Sequence, residues 1–112
     1  MLPPLPISAD EVRERLGRGE RVAFLDTRSP DDWDAAATQI EGALRFRPSE
    51  IENHLRFVPQ GCAIVTYCDC PDGASSTRAA AALVENGWRD VHPLRRGEWR
   101  RFPTAPRGEA RP

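Results

Sequence analysis

The run Ala63-Ile64-Val65-Thr66-Tyr67 constrains the fold more than any other part of this sequence. It is apolar at nearly every position, as expected for a central parallel strand covered on both faces. The patterns around it supply the covering elements. Ser8 and Glu11 have capping-box spacing, and Val12 and Leu16 stack one turn apart, which predicts a helix from Ser8 to about Arg18. Val22 to Leu25 is a short apolar run between charged residues and reads as a second buried strand. Ser29 caps and Pro30 opens a short helix. Gly42 breaks the chain before a short strand at residues 43–45. Ser49 and Glu52 repeat the capping-box spacing, which predicts a regular helix with Ile51, Leu55 and Val58 on one face.

Pro59-Gln60-Gly61 is a turn into the central strand. Beyond that strand, Cys68 to Ala74 contains Pro71 and Gly73 and reads as a loop. Ser75 or Ser76 is expected to cap a helix running to about Asn86, with Ala79, Ala80, Leu83 and Val84 inward and Gly87 as its stop. Val91 to Leu94 reads as the last strand, and residues 97–102 as a final helical turn.

Strands alternating with helices predict an α/β fold, a three-layer α/β/α sandwich around a parallel sheet. A chain of 112 residues fits one domain, with residues 1–6 as a proline-rich lead-in, 7–103 as the domain and 104–112 as a frayed tail. In such sheets ligands bind beyond the carboxyl ends of the strands. Two features land there: Asp26-Thr27-Arg28 after one strand, and Cys68 after the strongest one.

A thiolate reacts and a thiol does not. The loop from Asp69 to Ala74 runs straight into a helix N-terminus, whose first turn carries free N–H groups and about half a unit of positive charge. A loop curled over that end aims further N–H groups at one point, as an anion nest. Cys68 seated there is expected to have a pKa lowered into the range of roughly 3.5–7.5 found for activated cysteines. The same nest suits a persulfide, which is also a sulfur anion. Cys62, at a turn, has nothing to activate it and reads as packing or surface. Cys70 reads either as a relay thiol or as the nucleophile itself. A metal site fails on ligand count, because only His54 and His92 join the Cys68-x-Cys70 pair. No cofactor is expected.

These residues resemble the rhodanese-like family across about residues 7 to 103. The matching stretches are Asp26-Thr27-Arg28 followed by Trp33, Ile40-Glu41-Gly42-Ala43, Val65-Thr66-Tyr67-Cys68, and Gly87-Trp88 with residues 91–97. The resemblance implies a five-stranded parallel sheet and a sulfurtransferase. In that role Cys68 takes the sulfane sulfur of thiosulfate or a persulfide donor and passes it to a thiol or cyanide acceptor. It also implies that Asp69, Cys70, Pro71, Asp72, Gly73, Ala74 and Ser75 form the anion-binding loop, braced by Asp26 and Arg28. The Tyr-Cys-x-Cys-Pro loop looks like one subgroup of the family.

The sequence also departs from that pattern. The family loop has six residues counting the cysteine and often carries arginine; here it is seven long if Ser75 opens the helix. Asp69 and Asp72 add negative charge, and Gln39 replaces the histidine common before Ile40. A seven-residue loop also resembles dual-specificity phosphatases, but those need a loop arginine to clamp an oxyanion, and Ala74 stands there. The alternative function is a non-enzymatic binding or redox-sensing module using Cys68 and Cys70.

The net charge of -1 argues against a nucleic-acid partner. All sixteen basic residues are arginine, which removes lysine Schiff-base chemistry. Arg45, Arg47 and Arg56 read as a solvated face or as a funnel for anions. The cluster Arg95, Arg96, Arg100 and Arg101 suits an acidic acceptor better than nucleic acid. Trp33, Trp88 and Trp99 read as packing anchors. Three closely spaced cysteines do not make a secreted disulfide framework, the start is no signal peptide, and no run approaches the length needed to enter a bilayer. A cytoplasmic setting is therefore expected.

Overall fold

A computed structural model describes residues 3–108. The chain runs through α1 (Ala9–Gly17), β1 (Val22–Asp26), α2 (Pro30–Ala35), β2 (Thr38–Ile40) and β3 (Leu44–Arg45). A 3₁₀-helix over Ile51–Phe57 follows, then β4 (Ala63–Tyr67), α3 (Ala74–Glu85), β5 (Val91–Pro93), a 3₁₀ turn over Glu98–Arg101, and β6 (Thr104–Pro106).

The main sheet is parallel, in the order β3-β1-β4-β5. β4 is central and buried at all five positions, as its apolar run predicts. Its side chains alternate between two cores. Val65 and Tyr67 face a cluster with Val12 of α1, Ile40, Trp99 and Phe102. Ile64 faces the opposite cluster, with Leu25, Ile51, Val58, Ala79, Ala80 and Leu83. One apolar set per face yields the α/β/α layering.

The main sheet has four strands where five were expected. The fifth position is a single parallel bridge, Ile7 to Leu94, in which the Ile7 amide donates to Pro93 O and Ile7 O accepts from the Arg95 amide. Pro6 has no N–H to pair, and Ser8 turns away to cap α1 through the Glu11 amide at 3.1 Å. Only one residue is left to pair.

Two other expectations fail. The segment after Ser49 is not a regular helix: it winds as 3₁₀, lacks a side-chain cap, and is kinked at His54, whose φ is -132°. Ile51 and Val58 are both pinned in the core. The segment from Thr104 was expected to fray, yet β6 pairs antiparallel with β2, from Thr38↔Pro106 to Ile40↔Thr104. Trp33 O accepts from Arg107 Nη1 at 2.7 Å, and Gln39 Oε1 accepts from the Gly108 amide at 3.0 Å. Residues 109–112 of that tail lie outside the described residues. Among the described residues no helix is long and apolar enough to cross a membrane.

Candidate active site around Cys68

β1 and β4 lie side by side, with Asp26 paired to Tyr67, so their carboxyl ends deliver Thr27, Arg28 and Cys68 to one edge. α3 begins at Ala74, with Gly73 as N-cap at φ 71°. The expected seven-residue loop is therefore six, Cys68 to Gly73. A left-handed turn at glycine ends it one residue early, at no Cβ cost. Neither serine is the cap. Asp72 Oδ1 accepts from the Ala74 amide at 3.0 Å instead.

That shift frees the two serines for the cysteines. Cys70 Sγ lies 3.0 Å from Ser75 Oγ. Cys68 Sγ donates to Ser76 Oγ at 3.3 Å, and Ser76 Oγ donates in turn to Gly73 O at 3.1 Å. Ser76 has one hydroxyl proton. When Cys68 ionises, that proton can turn from Gly73 O to the sulfur.

Cys68 is only 4% exposed. Burial pushes its thiol above the ordinary range; the Ser76 hydroxyl and the amides of Cys70 and Ser76 pull it back without cancelling the shift. The expected depressed pKa is not found, because desolvation outweighs the nest in the uncharged resting site. The amides nevertheless act on the sulfur in the anticipated sense.

Beneath the loop lies a polar brace. Asp26 and Arg28 are fully buried and joined through Arg28 Nη2 to Asp26 Oδ2 at 2.6 Å and Arg28 Nε to both carboxylate oxygens. Tyr67 Oη donates to Asp26 Oδ2 at 2.9 Å and accepts from the Ile40 amide at 3.0 Å. Thr38 O accepts from Arg28 Nη2 at 2.9 Å. The Arg28 guanidinium lies between the rings of Trp33 and Trp99, 5.4 and 5.0 Å from their centroids. Burial draws on its charge, but the Asp26 bonds more than offset this and hold its pKa above the usual value.

Arg45 does not line the mouth as a funnel would. It is 2% exposed and donates to Arg28 O and Asp26 O, and burial together with the neighbouring Arg28 charge lowers its pKa. Arg47 pairs with Glu50, and Arg56 lies over Phe57. The negative charge of Asp69 is also answered. Its Oδ1 accepts from Trp99 Nε1 at 2.8 Å and faces Arg100 Nη1 at 3.3 Å, while its Oδ2 is 3.8 Å from Arg28 Nη1. Pro71 O accepts from Arg96 Nη1. Sequence reasoning did not assign Ser76, Trp99, Arg96 or Arg100 to the site. Ser76 carried a signal, as a candidate cap; Arg96 and Arg100 stood out only as a basic cluster and Trp99 as a packing anchor, because their loop partners lie 25 to 31 residues away.

Comparison with known proteins follows the same lines. A family model described as the rhodanese-like domain matches residues 8–99. The chain is 31% identical over 91 residues to a sulfurtransferase of Allochromatium vinosum, covering 81% of each. It is 33% identical over 93 residues to the probable adenylyltransferase/sulfurtransferase MoeZ of Mycobacterium tuberculosis, covering 81% of this chain but only 23% of that protein. A rhodanese-related protein of Thermoplasma volcanium superposes with a TM-score of 0.70 at 17% identity, covering 90% of this chain and 97% of that one.

Proposed function

The chain belongs to the rhodanese-like domain family, whose sulfurtransferase members it resembles, and on that premise we propose that it carries sulfane sulfur as a persulfide on Cys68. The observation behind this reading is the seat of Cys68: a strand-end sulfur with the Ser76 hydroxyl 3.3 Å away and two amides, one of the loop and one of the first turn of α3, acting on it. Cys68 is the nucleophile, the segment from Asp69 to Ser75 is the anion-binding loop, and Asp26 and Arg28 hold the loop's footing.

The Cys68 thiolate attacks the outer sulfur of thiosulfate. A new S–S bond forms, the bond within thiosulfate breaks, and sulfite leaves with its electron pair. The product is a Cys68 persulfide anion whose charge sits one sulfur further out. An acceptor thiolate, or cyanide, then attacks that outer sulfur and returns Cys68 as a thiolate. With a thiol the product is a new persulfide, and with cyanide it is thiocyanate. The Ser76 hydroxyl and the amides of Cys70 and Ser76 favour the Cys68 thiolate, the attacking and the leaving form, and so oppose the burial penalty.

Cys70 supports a second reading. It shares the loop, its charge acts on Cys68, and its sulfur is half-buried. In that reading the pair cycles between dithiol and disulfide.

Intact mass after incubation with thiosulfate separates the two. A one-sulfur gain that is lost in Cys68→Ser and kept in Cys70→Ser is the expected result. A gain that survives Cys68→Ser moves the chemistry to Cys70. No gain, together with a Cys68–Cys70 bond on peroxide treatment, replaces transfer with redox sensing.

A further inference from the structure

The loop from Cys68 to Gly73 is pinned at several points, and the pins differ in kind. Cys70 O accepts from the Gly73 amide at 3.0 Å, and Asp72 Oδ1 accepts from the Ala74 amide at 3.0 Å. Both bonds stay within the loop and its helix start, so they move with it. Pro71 O accepts from Arg96 Nη1, but it lies beyond Cys70 in the chain. One residue, Asp69, stands between Cys68 and the Cys70 amide, and its side chain is held from outside the loop. That amide matters: burial dominates at the Cys68 thiol, and the Cys70 N–H is among the groups that pull back toward the anion.

The frame that holds Asp69 is itself packed. Trp99 is 5% exposed and its ring stacks on Tyr67, so Nε1 has little freedom where it donates to Asp69 Oδ1 at 2.8 Å. Arg100 Nη1 faces the same oxygen at 3.3 Å. Arg28 Nη1 is buried without a hydrogen-bond partner and lies 3.8 Å from Asp69 Oδ2, while the rest of that guanidinium is tied to Asp26 and Thr38 O. A buried donor left without a bond favours a carboxylate on its open side. The Asp69 carboxylate is thus caught between the turn over Glu98–Arg101 and the end of β1, and a side chain caught at both oxygens restricts the backbone that bears it.

We infer that Asp69 is a positioning residue for the chemistry at Cys68: its carboxylate, held by Trp99, Arg100 and Arg28, fixes the Asp69–Cys70 peptide so that its N–H faces the sulfur. This rests on the sulfurtransferase reading and names what aims one of its anion-binding amides. The acidic residue next to the nucleophile then acts through the backbone, and against the sense of its own charge. As a bare charge Asp69 disfavours the thiolate; as an anchor it favours it.

The test uses the whole chain with Cys68 as its one cysteine, through Cys62→Ala and Cys70→Ser, which also removes the Cys70 charge that acts on Cys68. The readout is the pH midpoint of Cys68 alkylation by iodoacetamide, followed by intact mass, in Asp69→Asn and Asp69→Ala. Both variants lose the charge, so it cancels in their difference. Asparagine keeps an oxygen that accepts from Trp99 Nε1 and Arg100, and alanine does not. The Asp69→Ala midpoint is expected about one pH unit above that of Asp69→Asn. Loss of the fold cannot mimic this, because it moves the midpoint down toward the ordinary cysteine value. Equal midpoints, or a lower one in Asp69→Ala, overturn the positioning role. Alkylation needs no sulfur transfer, so the underlying reading is checked apart from it: no one-sulfur gain from thiosulfate in the parent chain overturns the sulfurtransferase reading and leaves the Asp69 result to stand or fall by itself.

Discussion

Tyr67 shows how one side chain ties the core to the site. Its ring stacks on Trp99 with centroids 5.4 Å apart, and its hydroxyl bridges Asp26 and the Ile40 amide. Burial, and then the Asp26 charge, drive its pKa far above the ordinary tyrosine value; burial does the same to Cys68 to a smaller degree. Both groups stay neutral in the fold while the unfolded chain ionises at ordinary values, about 10 for tyrosine and 8.5 for cysteine. Folded pKa values raised in this way contribute stability that is fully present below the unfolded values and is lost as pH rises from those values toward the folded ones. The chain has no lysine, one tyrosine and three cysteines, so few other side chains titrate in that window. The urea midpoint should hold near neutral pH and fall between pH ~9 and ~11. Tyr67→Phe should flatten that fall and cost about 1–3 kcal/mol at pH ~7, because the buried Ile40 amide loses its acceptor. A midpoint that stays level to the alkaline end would show that neither group is held as described.

The element that decides the chemistry is the junction from β4 through the loop into α3. Gly73 sits at φ 71°, and a Cβ there would meet nothing closer than 4.0 Å, from Ser76 Oγ and Thr77 Oγ1. The cost of Gly73→Ala therefore comes from the left-handed backbone and not from collision, about 1–2 kcal/mol. The Ala74 to Ser76 turn follows directly, so any relaxation of that strain rotates the Ser76 hydroxyl away from Cys68. Gly73→Ala should lower stability by that amount in urea melts and slow sulfur loading from thiosulfate several-fold in stopped-time mass measurements. Loading at the parental rate would mean that the helix start does not set the geometry at the sulfur.

Across the whole molecule, the segments around Ile7 and over residues 104–106 are both built into the fold. Ile7 extends the main sheet by one residue, and β6 completes a two-stranded ribbon with β2, whose Thr38 carbonyl in turn holds Arg28. Ending the chain after Pro103 removes the ribbon partner and the Arg107 bond to Trp33 O. A few net hydrogen bonds at about 0.5–1.5 kcal/mol each predict a loss of 1–3 kcal/mol. For a domain near this size that is a melting temperature lower by about 5 °C or more. An unchanged melting temperature would return the segment to a loose tail.

The sequence alone determined the elements whose patterns are local. The apolar run of β4 needs two covering layers whatever surrounds it, Ser8 with Glu11 starts a helix by its own bonds, and a cysteine straight after that run must sit at the sheet's carboxyl edge. Tertiary structure decided what depends on partners distant in the chain. Whether Asp69 is a repulsive charge or a buttress turns on Trp99 and Arg100, thirty and thirty-one residues away. Whether Arg45 faces solvent or the interior turns on Asp26 and Arg28, and whether residues 104–106 fray turns on β2. The Cys68 pKa is settled in the same way. The nest that favours its anion is a local motif, but the burial that opposes it is a sum over every element packed around the sulfur, and no window of sequence contains that sum.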